Sequence, residues 1–205
     1  MIDLPGWVGY ALAGATCAAG VVLLTATGRR LVLASLGMAF VGCAALLIGK
    51  LPLAVSLAMV ASGAAVSGIL LLSTSASAWP WDPGGEGALP QGRTFRLVLS
   101  AFVLVAVLGL ARRISIPGTA GGQPVFLTGL ALIGLGALQL GLSERSLRVC
   151  VGLLTSLAGF ETLYIVLEPS LAIVALLGSV HVVIALVASY LLLVVRPTPP
   201  GGRAA

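Results

Sequence analysis

Charged side chains are scarce in this sequence, and that shortage decides the class of protein. Asp, Glu, Lys and Arg make up 8% of the 205 residues, whereas soluble domains carry about 25%. Hydrophobic residues make up 59%, and the mean hydropathy is +1.16. The composition therefore predicts an integral membrane protein and leaves no room for a sizeable soluble domain.

Histidine, cysteine and catalytic motifs are also sparse. His181 is the only histidine, so haem ligation by two histidines of this chain is excluded, and His/Met ligation would require Met38 or Met59. The sequence contains no glycine-rich phosphate loop, nucleophile triad or metal-ligand cluster. We therefore expect no catalytic machinery, metal or cofactor in this chain. The cysteines lack C-x-x-C spacing and lie in separate apolar segments, which favours buried, unreactive thiols. They are Cys17, Cys43 and Cys150.

The net charge of +5 comes from basic residues that lie singly or in pairs at the ends of apolar segments. They form no patch with interleaved aromatic residues, so nucleic acid is not an expected partner. Ten arginines against one lysine, in a chain dominated by Ala, Gly, Leu and Val, are typical of a bacterium with GC-rich codons. We expect a multi-pass protein of the bacterial inner membrane. Met1 to Tyr10 lacks the features of a cleaved secretory signal, so the first helix is expected to remain in the mature chain.

The apolar stretches predict an all-α bundle of about seven transmembrane helices, because crossing about 30 Å of hydrocarbon needs roughly 20 apolar residues. In the fourth span only Leu97 to Ala111 is free of charge, but flanking arginines can reach the interface and lengthen it. The predicted spans are Trp7 to Thr27, Leu31 to Ile48, Leu53 to Leu72, Thr94 to Ile116, Val125 to Leu142, Ser146 to Glu168 and Ser170 to Val195.

The distribution of basic residues predicts an outer amino terminus and a cytoplasmic carboxyl terminus. With that orientation eight arginines face the cytoplasm and three basic residues face outward, in agreement with the positive-inside rule. The cytoplasmic set is Arg29, Arg30, Arg93, Arg96, Arg145, Arg148, Arg196 and Arg203, and the outer set is Lys50, Arg112 and Arg113.

Glu161 and His181 lie in the interiors of two spans, and these interiors otherwise hold no acid or base. Ionisable groups at membrane depth are costly and tend to face protein or water, so this pair is the candidate functional site. Counted from the turn at Glu168, their depths are about 11 Å and about 18 Å, which makes direct contact uncertain but leaves room for one or two bridging waters. Two roles remain open. The pair could relay protons, or Glu161 could donate to a carbonyl or partner while His181 packs in the interior.

Other polar residues are weaker candidates. Glu168 is expected in a solvated turn, and Lys50 is expected to anchor its helix at the interface rather than join a relay. Four intramembrane hydroxyls could line a water path, although such groups commonly bond to their own helix backbone. They are Thr155, Ser156, Thr162 and Ser179. The basic residues Arg29, Arg30, Arg145 and Arg148 are expected to fix topology or to bind lipid phosphate.

The last three predicted helices resemble the NuoK family, chain 4L of respiratory complex I, with its relatives in Mrp-type antiporters and group 4 membrane hydrogenases. The similarity lies in the glycine-rich segment 130–136 (LALIGLG), the turn 144–147 (ERSL) followed by 151–153 (VGL), and the segment 181–186 (HVVIAL). The last is similar to the family pattern Glu-x-x-Ile-Gly-Leu.

A looser resemblance covers the first three helices. Segment 60–64 (VASGA) is similar to the Val-Tyr-x-Gly-Ala stretch in the NuoJ family, chain 6 of complex I. A single chain that combines both regions resembles the hydrogenase-4 component E family. The resulting division is a NuoJ-like part at 1–72, a Ser/Pro/Gly-rich loop at 73–93, a fourth helix and connector at 94–123, a NuoK-like part at 124–196 and a flexible tail at 197–205.

The sequence departs from the NuoK family at both membrane acids. The family has one glutamate where this chain has Leu154 and a second where His181 stands. Glu161 follows Leu154 by seven residues, or about 700° of helical rotation, and so lies close to the same face. If this chain has a proton path like that of the family, the resemblance implies that Glu161 and His181 carry it.

The resemblance implies a membrane-arm subunit of a complex I-like or group 4 hydrogenase-like respiratory assembly that translocates protons or cations. Its partners would be antiporter-like and quinone-module-like membrane subunits together with lipids, and any iron–sulfur cluster or quinone would belong to those subunits. Two alternatives stay open. One is a purely structural subunit of an electron-transfer or light-harvesting complex, and the other is a small autonomous transporter.

Overall fold

The computed structural model describes residues 6–48, 52–76, 92–113, 122–143, 146–168 and 170–194. These residues form seven helices and no strand, and each helix is long and apolar enough to cross a membrane. The prediction of a polytopic all-α bundle is confirmed, and the chain is a multi-pass membrane protein. The helices are α1 (Gly6–Thr25), α2 (Arg29–Leu47), α3 (Leu53–Ala76), α4 (Arg93–Arg113), α5 (Gly122–Leu142), α6 (Ser146–Leu167) and α7 (Leu171–Val194).

The main departure from the predicted helix ends is in α3, which continues one turn past Leu72 to Ala76. Ser73 and Thr74 donate their hydroxyl hydrogens to the carbonyls of Ile69 and Leu70, so these polar residues are satisfied inside the helix. The Ser73 hydroxyl also lies 2.6 Å from the Ser189 hydroxyl of α7. Residues 73–76 of the predicted loop are therefore helical, and the rest of that loop up to 91 lies outside the described residues. The predicted tail at 197–205 lies outside them too.

Helix α2 is the most enclosed element and packs against α1, α3, α5 and α6. Ten of its residues are buried, including Phe40 and Cys43. Helix α7 packs against α3 and α6, and α4 lies at the edge against α5 and α1. Only Ser100 and Ala111 of α4 are buried, so most of that helix faces outward.

Helices α5 and α6 approach each other through glycine backbones. A Cβ atom at Gly159 would lie 2.6 Å from the Gly129 carbonyl oxygen, and one at Gly136 would lie 2.6 Å from the Gly152 carbonyl oxygen. Small residues permit close contact of this kind between membrane helices. Helices α5 and α6 are therefore closely packed against each other within the bundle.

Several contacts show which helix ends share one side of the bundle. Arg96 of α4 and Arg148 of α6 donate to the carbonyls of Leu24 and Ala26 at the end of α1. The amino-terminal ends of α4 and α6 therefore lie beside the carboxyl-terminal end of α1. At the other side, the Gln123 amide donates to the Ala111 carbonyl and ties the start of α5 to the end of α4. The predicted membrane orientation remains a prediction.

Candidate functional site

Glu161 of α6 and His181 of α7 lie side by side in the bundle interior. Both side chains are 0% exposed, and the Glu161 Oε2 atom lies 3.8 Å from the His181 Nδ1 atom. The sequence left direct contact uncertain because it gives depths of backbone positions only. In the structure the two side chains extend toward each other across the α6–α7 interface, so the gap between functional groups is smaller than the difference in depth.

The imidazole ring is fixed through one nitrogen. His181 Nδ1 lies 2.8 Å from the Leu177 carbonyl oxygen, one turn earlier in α7. A carbonyl can only accept, so this hydrogen bond requires that Nδ1 carries a hydrogen. The Leu154 carbonyl of α6 is also near the ring, but no described group hydrogen-bonds to Nε2. Nε2 therefore carries the lone pair of the neutral ring in this arrangement.

The Glu161 carboxyl group has no hydrogen-bond partner among the described residues for either oxygen. An unbalanced charge in such a buried place would be costly, because no donor among the described residues compensates for it. Two arrangements avoid a net charge: a neutral acid beside a neutral imidazole, and a carboxylate beside an imidazolium. Movement of one proton between the two residues interconverts these arrangements without changing the total charge of the site.

Residues of α2 close the site from a third side. Phe40 contacts His181 edge to face, with ring centroids 5.2 Å apart and an interplanar angle of 74°. The Cys43 thiol lies beside the Thr162 hydroxyl. Neither residue is among the predicted site residues, because an apolar pattern does not show which helix faces Glu161. The single cysteine of α2 is the one sequence feature that could have drawn attention to this helix, and the sequence predicts only an unreactive thiol there.

The four auxiliary hydroxyl residues divide into two groups. Thr155, Thr162 and Ser179 each donate to a carbonyl three or four residues earlier in their own helix. Ser156 instead lies 3.4 Å from the Ile133 carbonyl of α5. For Thr155, Thr162 and Ser179 this is the second of the two roles considered for them, whereas the Ser156 hydroxyl is directed at the neighbouring helix. Thr162 follows Glu161 directly in α6 and lies beside the Cys43 thiol of α2.

The other charged candidates that the structure describes lie at or near the ends of helices. Glu168 is exposed at the end of α6, while Arg29 is half-buried and Arg30 is exposed at the start of α2. Arg148 is buried, and its guanidinium donates to the Ala26 carbonyl at 3.0 Å, a contact that the sequence did not reveal. The remaining two candidates, Lys50 and Arg145, fall outside the described residues.

The described segments hold no group of three or more His, Cys, Asp or Glu side chains that could bind a metal ion. Cys17, Cys43 and Cys150 are free thiols. The candidate site consists of the Glu161 carboxyl and the His181 imidazole, an acid and a base that can exchange a proton. Comparisons with family models, with curated proteins and with solved structures find no match to this chain.

Proposed function

We propose that this chain is a membrane subunit of a proton- or cation-translocating respiratory assembly related to complex I and the group 4 hydrogenases. Glu161 and His181 would form part of its ion path. The observation that carries the proposal is the burial of both side chains at 0% exposure with Oε2 and Nδ1 3.8 Å apart. Ionisable groups at this depth are costly and are usually kept for a function. An acid beside a base can exchange a proton, which is the step that conduction requires.

The hydrogen bond at Nδ1 limits how a proton could pass between the two residues. While Nδ1 donates to the Leu177 carbonyl, it has no lone pair to offer to Glu161. A proton from Glu161 would therefore enter the ring at Nε2, through an intervening water. Nδ1 could accept it only after its own hydrogen had moved to Nε2. Transfer to Nε2 keeps the site neutral overall, so the energetic cost of a lone buried charge is avoided.

The outer faces of the bundle suit lipids and further membrane subunits. Helices α4 and α7 expose large apolar side chains along much of their length, including Phe102 at 70% and Leu176 at 64%. We propose antiporter-like and quinone-module-like chains as neighbours, in the inner membrane of a bacterium. Iron–sulfur clusters or quinone would then belong to those neighbours, and this chain would contribute ion translocation and packing.

The test begins with isolation of the assembly from native membranes by a histidine-free affinity tag on this chain, followed by identification of the copurified subunits. Glu161→Gln and His181→Gln are then introduced separately. We expect both variants to assemble and to lose most proton pumping in inside-out vesicles, measured with a pH-sensitive dye and the electron donor of the copurified enzyme. Glu168→Gln is the matched control, because that acid is exposed at the end of the same helix. Normal pumping by assembled Glu161→Gln and His181→Gln complexes would reject the relay.

A structural role is the second candidate, and the direction of the hydroxyl groups favours it. Thr155, Thr162 and Ser179 all bond to their own helices, so the described hydroxyl hydrogen bonds do not link the pair to the membrane surface. In that role the pair would fasten α6 to α7. The two roles differ in one outcome: a structural pair predicts loss of the assembled complex in the Glu161 and His181 variants, with normal pumping by whatever complex remains.

A further inference from the structure

His181 has two acceptors within reach of a single ring nitrogen. Nδ1 is 2.8 Å from the Leu177 carbonyl oxygen and 3.8 Å from Glu161 Oε2. The first distance is a hydrogen bond and the second is too long for one. The single hydrogen on Nδ1 is therefore committed to the Leu177 carbonyl rather than to Glu161.

Phe40 is placed to decide between these two acceptors. Its ring contacts the imidazole edge to face with centroids 5.2 Å apart, a geometry that aromatic pairs prefer. Phe40 is 1% exposed and His181 is 0% exposed, so neither ring has solvent to move into. A rotation of the imidazole away from Leu177 would have to disturb this contact.

The position of Phe40 is in turn set by the backbone of α3. A Cβ atom at Gly63 would lie 2.5 Å from Phe40 Cβ and 2.6 Å from Phe40 Cγ. No residue other than glycine fits at position 63 unless Phe40 shifts. Gly63, Phe40 and His181 therefore form one line of contact that runs from α3 through α2 to α7.

We propose that Phe40 is a positioning residue for His181: it holds the imidazole with Nδ1–H on the Leu177 carbonyl and away from the Glu161 carboxyl. Gly63 allows Phe40 to reach that place. The engagement of the Glu161–His181 pair is then controlled by the packing of α2 on α3. This inference concerns the ring alone, and its consequence for ion transport rests on the proposed function.

The single histidine makes a direct test feasible. The full-length chain, purified with a histidine-free tag, is labelled with [15N]histidine, returned to lipid bilayers and studied by solid-state NMR. The ring signals then report His181 only, because the sequence has no other histidine. We expect a protonated, hydrogen-bonded Nδ1 in the wild-type chain. A wild-type ring with hydrogen on Nε2 alone would overturn the proposal without any variant.

Two substitutions disturb the contact from different directions. Phe40→Leu removes the aromatic edge, and we expect the Nδ1–H signal to shift or split as the hydrogen divides between Leu177 and Glu161. Gly63→Ala pushes on Phe40 through its new methyl group, and we expect a shift of the same signal. If Phe40→Leu does not fold, the Gly63→Ala spectrum decides. Wild-type ring signals in whichever of these variants folds would contradict the proposal.

Matched controls come from the same helix and the same residue type. Gly68→Ala lies on α3, where an added Cβ meets nothing within 4 Å, and Phe102→Leu replaces a phenylalanine that is 70% exposed on α4. Both are expected to give the wild-type spectrum. A shift in the controls equal to that in Phe40→Leu would show a general packing effect and overturn the assignment of Phe40.

Pumping by the assembled complex separates this inference from the proposed function. If Phe40→Leu changes both the ring signals and the pumping rate, both proposals are supported. If it changes the ring signals and leaves pumping at the wild-type rate, Phe40 is still a positioning residue, but the role of the pair in ion transport is weakened.

Discussion

Helix α6 contacts α5 through glycine backbones on one side and α7 through a carboxyl and an imidazole on the other. On the α5 side, Gly152 and Gly159 bring the two backbones into contact with little side-chain material between them. On the α7 side, Glu161 and His181 stand 3.8 Å apart and leave three buried polar atoms without a hydrogen-bond partner among the described residues. The α5 side of α6 is therefore closely packed, whereas the α7 side contains buried polar atoms that make no hydrogen bond with a described residue.

The difference suggests a division of labour within α6, in which one side of the helix provides stability and the other provides the functional site. Small residues give stability in a membrane because they allow van der Waals contact where lipid offers no hydrophobic gain. Buried polar groups without complete partners give little stability and are retained for other reasons. The α5 side would therefore hold α6 in place while the α7 side remains available for chemistry, and substitutions on the two sides should have different effects.

The largest effect on stability is expected for Gly159→Ala. Its methyl group would lie 2.6 Å from the Gly129 carbonyl oxygen and 2.8 Å from the Ile133 amide nitrogen, and backbone atoms cannot turn aside. Overpacking typically costs about 1–3 kcal/mol, so the free energy of unfolding should fall by at least that amount. Reversible unfolding in mixed micelles measures it. Gly14→Ala on α1 is the control because nothing lies within 4 Å of its new Cβ, and equal losses in both variants would remove the contrast between the two sides of α6.

A smaller effect is expected on the α7 side. In a double-mutant cycle of Glu161→Gln and His181→Leu, we expect a coupling of about 0.6 kcal/mol, because polar contacts between membrane helices average this value and reach at most about 1.7 kcal/mol. The same unfolding measurement serves for all four chains. A coupling well above that range would mean that the pair is a structural fastener, and the proposed division of labour would then fail.

A small effect is also expected for Gly134→Ala, where α5 faces the edge helix α4. Its new Cβ would lie 2.7 Å from Val103 Cγ1, the end of a side chain rather than a backbone atom. Because α4 lies at the periphery and can move slightly outward, we expect a loss below about 1 kcal/mol, less than ordinary overpacking of a core. Addition of Val103→Ala should restore wild-type stability. A loss as large as that of Gly159→Ala would show that α4 is held as firmly as α6.

The sequence was sufficient for the seven helices because arginine, proline and glycine interrupt long apolar runs at nearly the observed ends. The predicted end of α3 is four residues too early. The hydroxyls of Ser73 and Thr74 donate to backbone carbonyls of the same helix, so these polar residues remain helical. Periodicity was also sufficient to place Glu161 and Leu154 on the same buried face of α6.

Contacts between helices could not be predicted from the sequence. Spacing along one helix shows which residues share a face, but it does not show which helix lies opposite. The contact of Phe40 with His181 depends on the mutual orientation of α2, α3 and α7, and so does the 3.8 Å separation of the pair. The buried guanidinium of Arg148 was missed for the same reason, since its acceptor at Ala26 belongs to a helix far away in the chain.

That arginine contact has a consequence for the order in which the protein is completed. The last carbonyls of a helix lack partners within it, and for α1 two of them receive hydrogen bonds from Arg96 and Arg148. The carboxyl-terminal end of α1 thus receives these hydrogen bonds only when α4 and α6 have packed beside it. A bundle assembled from α1 to α5 alone would leave the Ala26 carbonyl without its arginine donor.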